Sequence, residues 1–366
     1  MFPKISVVTV VYNAEKTVER TIRSVIEQKY EKLEYIVIDG GSTDETVNII
    51  KKYSDFITYW VSEPDGGIYD AMNKGIALAT GDYICFLNAD DWFCRRALHT
   101  VATFSEGIGA DVLVGNIVSV DGTTKQLEYP KTLESILWGI PTAHQAFFVK
   151  TSCVGSFDTQ YRIAADYKML LDLYLSGKTI HYVPYSLVYF SLGGFSDQWY
   201  ESSKEVYEIS KEAILKSQID NKEYYLGICN RIWLRKQIIH DVQNEDFALK
   251  VTDYIRELLP DNKEIIIWGT GGLANSFSRV IEIERSRIKY FVDNDESKWG
   301  ENTYGCMTRN PLCLGEERNV SIFVLNELNS DEILDQILDM GLDESVEVFD
   351  YNTVMFNYEN KVIREL

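Results

Sequence analysis

Residues 83–91, YICFLNADD, carry the reading of this chain. Tyr83 to Leu87 is a short continuous apolar run, the pattern of a strand buried on both faces, and it stops abruptly at Asn88-Ala89-Asp90-Asp91. Two adjacent carboxylates repel each other, so together they favour a divalent cation. Hard oxygen ligands suit Mg²⁺ or Mn²⁺, ions that commonly share their coordination with substrate phosphates. The competing reading is that Asp90 or Asp91 caps a helix over residues 92–102.

Upstream, the same grammar repeats. Residues 5–11 (ISVVTVV), 33–38 and 56–61 read as strands, and residues 14–28, 44–53 and 68–80 as helices with apolar residues on one face. Strands and helices alternating this regularly indicate a parallel α/β sheet, which binds ligands at the carboxyl ends of its strands. Those ends carry Asn13, Asp39, Asp65 and Asp90. Downstream the pattern loosens, with strands expected over 112–120, 145–150 and 179–190 and helices over 132–138 and 165–176. Residues 197–259 read as helical and charged, 259–262 as a linker, and 264–268 as the opening of a second α/β module that ends near 349.

The whole chain bounds these readings. Its 366 residues, 45% hydrophobic and 25% charged, suffice for two or three domains with real cores. A formal charge of −20 repels phosphate backbones and argues against nucleic acid as a partner. Six scattered cysteines without a C-x-x-C pair read as buried free thiols in a reducing compartment. No apolar run reaches the roughly 18 residues of a membrane span, and residues 5–11 lack the shape of a signal peptide. A cytoplasmic protein is expected.

Residues 5–30, the segment YIVIDGGSTDET, and EPDGGIYDAMNKGIALATGDYICFLNADD resemble the start of family 2 glycosyltransferases. The likeness continues through His144-Gln145, Asp166 and Gly193-Gly194-Phe195-Ser196, covering roughly residues 1–200. It implies a GT-A fold (Rossmann-like, with a mixed sheet) and inverting transfer of a sugar from a nucleotide-diphospho-sugar. By the resemblance Thr9 and Tyr12 grip the nucleoside, and Asp39 and Asp65 face a uracil-type base. Asn73 and Lys74 lie toward the phosphates, Asp90 contacts ribose or metal, and Asp91 holds Mn²⁺ or Mg²⁺ across the diphosphate. Asp166 is then the general base, His144 lies near the acceptor, and Gly194 and Ser196 belong to a loop over the bound substrates. The likeness further implies a UDP-hexose or UDP-N-acetylhexosamine donor and a bacterial surface-glycan or lipid-linked glycan acceptor. Three positions depart from the family pattern. Met72 stands where an arginine is usual, Asn88 replaces the first carboxylate of the D-x-D motif, and Ala165 replaces the glutamate beside Asp166.

The expected organisation is a GT-A domain over 1–200, a helical connector over 201–260 and a smaller Rossmann-like α/β module over 261–366. In the connector, Tyr225, Ile228, Ile232 and Ile239 form a stripe beside Lys222, Arg231, Arg235 and Lys236. Two readings fit it, packing on the catalytic domain or peripheral contact of the 222–240 helix with an anionic membrane on its inner face. The module opens with Gly269-Thr270-Gly271-Gly272, a turn of dinucleotide-binding type, and Asp293 lies about where a ribose-binding acid would sit. A second nucleotide site there competes with a structural or homo-oligomerising role. The alternatives to a transferase are a non-catalytic protein and an NAD-dependent sugar-modifying enzyme built on this module. A sugar nucleotidylyltransferase is disfavoured, because Tyr12-Asn13-Ala14-Glu15 is not the Gly- and Arg-containing loop it needs.

Overall fold

The computed structural model describes residues 2–193, 198–242, 245–258, 263–326, 329–354 and 358. Gly194, Ser196 and the expected linker at 259–262 lie outside the described residues. Packing divides the chain into two compact units, residues 1–230 and 231–366, a boundary that falls inside the stretch read as a connector.

In the first unit β1 (Ile5–Val11) is buried along its whole length. Val7 and Val11 enter one core and Val8 and Val10 the other, which is why an unbroken β-branched run suits it. β2 (Leu33–Asp39), β3 (Tyr59–Ser62) and β4 (Tyr83–Phe86) join it in parallel, in the order β3-β2-β1-β4. The intervening helices are α1 (Val18–Ile26), α2 (Thr46–Lys52) and α3 (Ile68–Leu78). β1 therefore lies between β2 and β4, and the crevice at its carboxyl end is a topological switch point. Gly75 lets α3 approach closely, since a Cβ there would lie 2.4 Å from Val8 Cγ1.

Beyond β4 the chain forms β5 (Trp92–Phe93), α4 (Ala97–Ile108), β6 (Val112–Asp121), β7 (Thr124–Glu128), β8 (Phe147–Lys150), α5 (Ala165–Leu175) and β9 (Ile180–Ser191). The sheet continues as β4-β8-β6-β9-β5, with β7 hairpinned on β6. β8 is antiparallel to both neighbours, so the sheet is mixed where alternation alone predicts a parallel one. The helix of the capping reading also begins later than residue 92. Trp92–Phe93 is a strand and α4 starts at Ala97, so Asp90 and Asp91 cap no helix at 92. Residues 133–137 form a 3₁₀ turn rather than an α-helix, and β7, exposed throughout, shows no apolar alternation that would have announced it.

α6 (Trp199–Lys216) and the first half of α7 (Lys222–Asp241) complete this unit. Tyr225, the first residue of the apolar stripe in the expected connector, stacks on Trp138 and donates to Glu134 at 2.9 Å, as the packing reading has it.

In the second unit α8 (Glu245–Leu258) precedes a sheet of β10 (Glu264–Trp268), β11 (Ile288–Val292), β12 (Asn302–Thr303), β13 (Cys306–Arg309), β14 (Val320–Val324) and β15 (Glu347–Asp350). Its order, β12-β13-β11-β10-β14-β15, is Rossmann-like and parallel except for β12. One face packs against α8 and α10 (Ser278–Ile283), the other against α11 (Ser330–Asp339).

Candidate active site

The rim of the site is built by loops that brace each other. Asp39 is fully buried, and its Oδ2 accepts from Ser62 Oγ at 2.6 Å, Ser42 N at 3.0 Å and Gly41 N at 3.2 Å. Asn13, in the left-handed region at φ 47°, accepts from Thr43 N at 2.9 Å and donates its own N–H to Ser42 Oγ at 2.8 Å. Gly40 gives the Asp65 carboxylate room, because a Cβ there would lie 2.7 Å from Asp65 Oδ2. The ends of β1, β2 and β3 are thus locked together, with Tyr12 63% exposed beside them. Two of the expected nucleotide residues do not join this rim. Thr9 is buried in the core under the Tyr35 hydroxyl, and Asn73 clamps the backbone of Phe157 through bonds of 3.0 and 2.7 Å. The Lys74 ammonium is engaged by Glu63 at 2.8 Å.

At the end of β4 the acid pair sits deeper. Asp91 is 1% exposed, with Oδ2 accepting from Gln145 Nε2 at 2.6 Å and Oδ1 from Ser191 N at 2.8 Å. The Asp90 carbonyl accepts from Arg20 and from Ser191 Oγ, each at 2.7 Å, while the Arg20 guanidinium stacks on Trp92. Burial pushes both carboxyls up, and the Asp90 charge adds to it at Asp91, which reaches about 7. Asn88 Oδ1 is buried beside them without a partner.

Such a donor set fits a divalent cation. It offers two carboxylates and a free amide oxygen, all hard ligands. Among the described residues no three His, Cys, Asp or Glu side chains converge into a cage, so the ion would draw its remaining ligands from elsewhere, as one shared with phosphates does.

Asp166 opens α5 and is buried. Its Oδ1 accepts from Tyr167 N at 2.8 Å and the Tyr69 hydroxyl at 3.0 Å, and its Oδ2 lies 2.7 Å from His144 Nδ1. Burial pushes this carboxyl up, but the bond from His144, the charge of that ring and the bonds from Tyr167 and Tyr69 prevail and hold it below its usual range. Once protonated, the His144 ring would also lower Asp90 and Asp91, which puts the two acidic centres within electrostatic reach of each other.

Sequence reasoning passed over Arg20, Tyr69, Gln145 and Ser191 as functional residues. Gln145 and Tyr69 lie inside stretches it quoted, and Ser191 precedes the glycines at 193–194. Arg20 carried no signal, being one charge on a helix surface.

In the second unit, Gly269 (φ 116°) is demanded by the backbone, since a Cβ would meet the Leu325 carbonyl at 2.7 Å. Gly271 faces open space. The Asp293 carboxylate is braced locally, accepting from Thr270 Oγ1 at 2.6 Å, Asp295 N at 2.9 Å, Thr270 N at 3.0 Å and Lys298 Nζ at 3.2 Å.

The profile described as "Glycosyl transferase family 2" matches residues 6–166, ending on Asp166. An uncharacterized glycosyltransferase of Mycobacterium tuberculosis is 40% identical over 184 residues, 46% of this chain and 68% of the relative. A PGL/p-HBAD biosynthesis glycosyltransferase of Mycobacterium bovis is 30% identical over 173 residues, 45% and 67% of the two chains. Among solved structures, S. aureus TarS 1–349 in complex with UDP-GlcNAc is similar at a TM-score of 0.52 and 22% identity, over 68% of this chain and 76% of that one. The mannosyltransferase PcManGT from Pyrobaculum calidifontis, in complex with GDP-Man and Mn²⁺, is similar at a TM-score of 0.50 and 19% identity, over 71% and 82%. The solved structures share this fold, a GT-A fold, and the chain belongs to glycosyl transferase family 2.

Proposed function

We propose that the protein is an inverting, metal-dependent glycosyltransferase that moves a hexose or N-acetylhexosamine from a nucleotide-diphospho-sugar to a hydroxyl of a glycan or lipid-linked glycan. The observation that carries this is the meeting of the Asp90–Asp91 pair with the Asp166–His144 pair in one buried site. UDP-GlcNAc and GDP-Man in the complexes of similar proteins support the donor class.

The chain's residues divide the work. Tyr12, Asp39 and Asp65 hold the nucleoside at the braced rim, and Asp90 faces its ribose. Asp91, with Asp90 and Asn88, would hold Mn²⁺ or Mg²⁺, which would supply positive charge to the departing diphosphate. Gln145 and Ser191 fix the Asp91 carboxylate so that it meets the ligand in one orientation. The Asp166–His144 pair takes the proton of the attacking hydroxyl on the opposite face of the sugar, giving inversion.

Thermal unfolding with UDP, GDP, dTDP and NAD, each with and without Mn²⁺, tests the reading. One nucleoside diphosphate should stabilise the protein only when Mn²⁺ is present, and Asp91→Ala should abolish that shift. Stabilisation by NAD alone, indifferent to Asp91, would overturn it.

A further inference from the structure

Resting on that reading, a sharper question is which atom receives the acceptor's proton. Every oxygen of the Asp166 carboxylate already accepts a hydrogen bond, Oδ1 from Tyr69 and Tyr167 and Oδ2 from His144. A carboxylate facing Nδ1 at 2.7 Å requires the proton on that nitrogen, which leaves the lone pair of a neutral ring on Nε2. Nε2 is buried and has no partner. Asn88 Oδ1, Thr142 Oγ1 and Gln145 Oε1 are likewise buried and unpartnered, all at the end of β4 or in the segment that leads into β8. A buried polar atom left unpaired destabilises the fold, so their concentration marks a place where a polar ligand completes the structure.

We propose that His144 Nε2 removes the proton from the attacking hydroxyl and that Asp166 is a positioning residue, fixing the ring's tautomer and balancing the charge it acquires. In the step, the O–H proton moves to Nε2 as the oxygen's electron pair forms the bond to the anomeric carbon. The bond from that carbon to the diphosphate oxygen breaks, its pair departs on the nucleoside diphosphate, and the imidazolium later releases its proton to solvent. The groups facing the ring suit this. Asp166 lies on Nδ1 with Tyr69 behind it, and Asp90 and Asp91 lie across the site, so the positive ring forms among carboxylates. Both Asp166 oxygens already face donors at hydrogen-bond distance, whereas His144 Nε2 faces none.

The full chain labelled with ¹⁵N-histidine gives the first test, its four imidazoles resolved at pH 8 and His144 assigned by loss of its signals in His144→Gln. The expected result is a protonated Nδ1 and a bare Nε2, with that preference lost in Asp166→Asn. A proton on Nε2 overturns the proposal. The second test follows nucleoside-diphosphate release from UDP-GlcNAc, UDP-glucose and GDP-mannose with Mn²⁺ and water as acceptor. His144→Gln should lower kcat by roughly 100-fold or more with an unchanged donor KM. Activity of His144→Ala should return with added imidazoles, more strongly for the more basic ones, a dependence that a structural role would not produce. If His144→Gln stays within a few-fold of wild type while Asp166→Asn is inert, Asp166 is itself the base and the proposal falls. Wild-type inactivity with all three donors, beside a bare Nε2, instead overturns the nucleotide-sugar reading on which the proposal rests.

Discussion

Glu34 offers the most quantitative check on how this sheet is held. It is the second residue of β2, paired in register with Ser6 of β1, and so lies at the opposite end of the strands from Asp39. Its buried carboxylate accepts from Lys4 Nζ at 2.5 Å, Ser6 Oγ and Thr80 Oγ1 each at 2.6 Å, and Thr80 N at 2.7 Å. Burial alone would raise this group, but the bonds from Lys4, Ser6 and Thr80 outweigh it and bring it from 4.5 to about 2. At 1.36 kcal/mol per unit, that difference is worth about 3 kcal/mol at neutral pH. Because the folded value is depressed, the stabilisation is complete above pH ~4.5 and is lost as pH falls toward ~2. Glu34→Gln removes the charge and turns an N–H toward existing donors, so it should cost about 3 kcal/mol at pH 7 and roughly half that at pH 3. Urea denaturation of both proteins across this range, read on the transition of the first unit, measures the gap. A gap that does not change with pH, or that stays below ~1 kcal/mol at pH 7, refutes the ion-pair account. Nucleotide binding at the far end of the strands should be unchanged.

Two other perturbations probe the remaining parts. Gly75→Ala sets helix propensity, which favours alanine by about 0.5–1 kcal/mol, against a Cβ placed 2.4 Å from Val8 Cγ1. Overpacking at about 1–3 kcal/mol should prevail, lowering the melting temperature in calorimetry; an unchanged or higher value would mean that α3 can retreat from β1 at little cost. In the second unit, Asp293→Asn should loosen the loop around Thr270 and Lys298 by about 1–2 kcal/mol. NAD at millimolar concentration should leave the wild-type melting curve in place, and a saturable NAD shift would show that the Asp293 carboxylate exchanges its local partners for a ribose.

Much of the first unit was legible because its physics is local. Ile5–Val11 can be little other than a doubly buried strand, and Asp39, Asp65 and Asp90 follow strands closely enough that a parallel sheet must gather them. The region after Asp91 was less legible. Trp92–Phe93 is too short a strand to show a period, and its pairing with Tyr189 and Val188 spans nearly a hundred residues. Thr124–Glu128 buries nothing and so leaves no hydrophobic trace. The bonds of Asp91 to Gln145 and Ser191 are equally non-local, since two donors of ordinary composition acquire their role from where the sheet delivers them.

That delivery depends on the mixed sheet. In a purely parallel sheet only the residues following a strand reach the ligand edge, and those preceding it lie at the far end. β8 runs antiparallel to β4, with Ile84 opposite Val149, so the residues leading into β8 pass beside the end of β4. His144 and Gln145 therefore arrive next to Asn88–Asp91 before their strand has begun. β6 is antiparallel to β8 in turn and β9 parallel to β6, which returns the last residue of β9, Ser191, to the same edge and onto Asp91. The one reversed strand thus brings a histidine and an amide to an edge that the βα repeats supply mainly with acids, and β9, running with the parallel strands, adds a backbone donor. The acidic strand ends alone could hold a nucleotide and a cation. The reversal at β8 adds the histidine on which the proposed proton transfer rests, so that proposal depends on the mixed sheet rather than on the βα repeats.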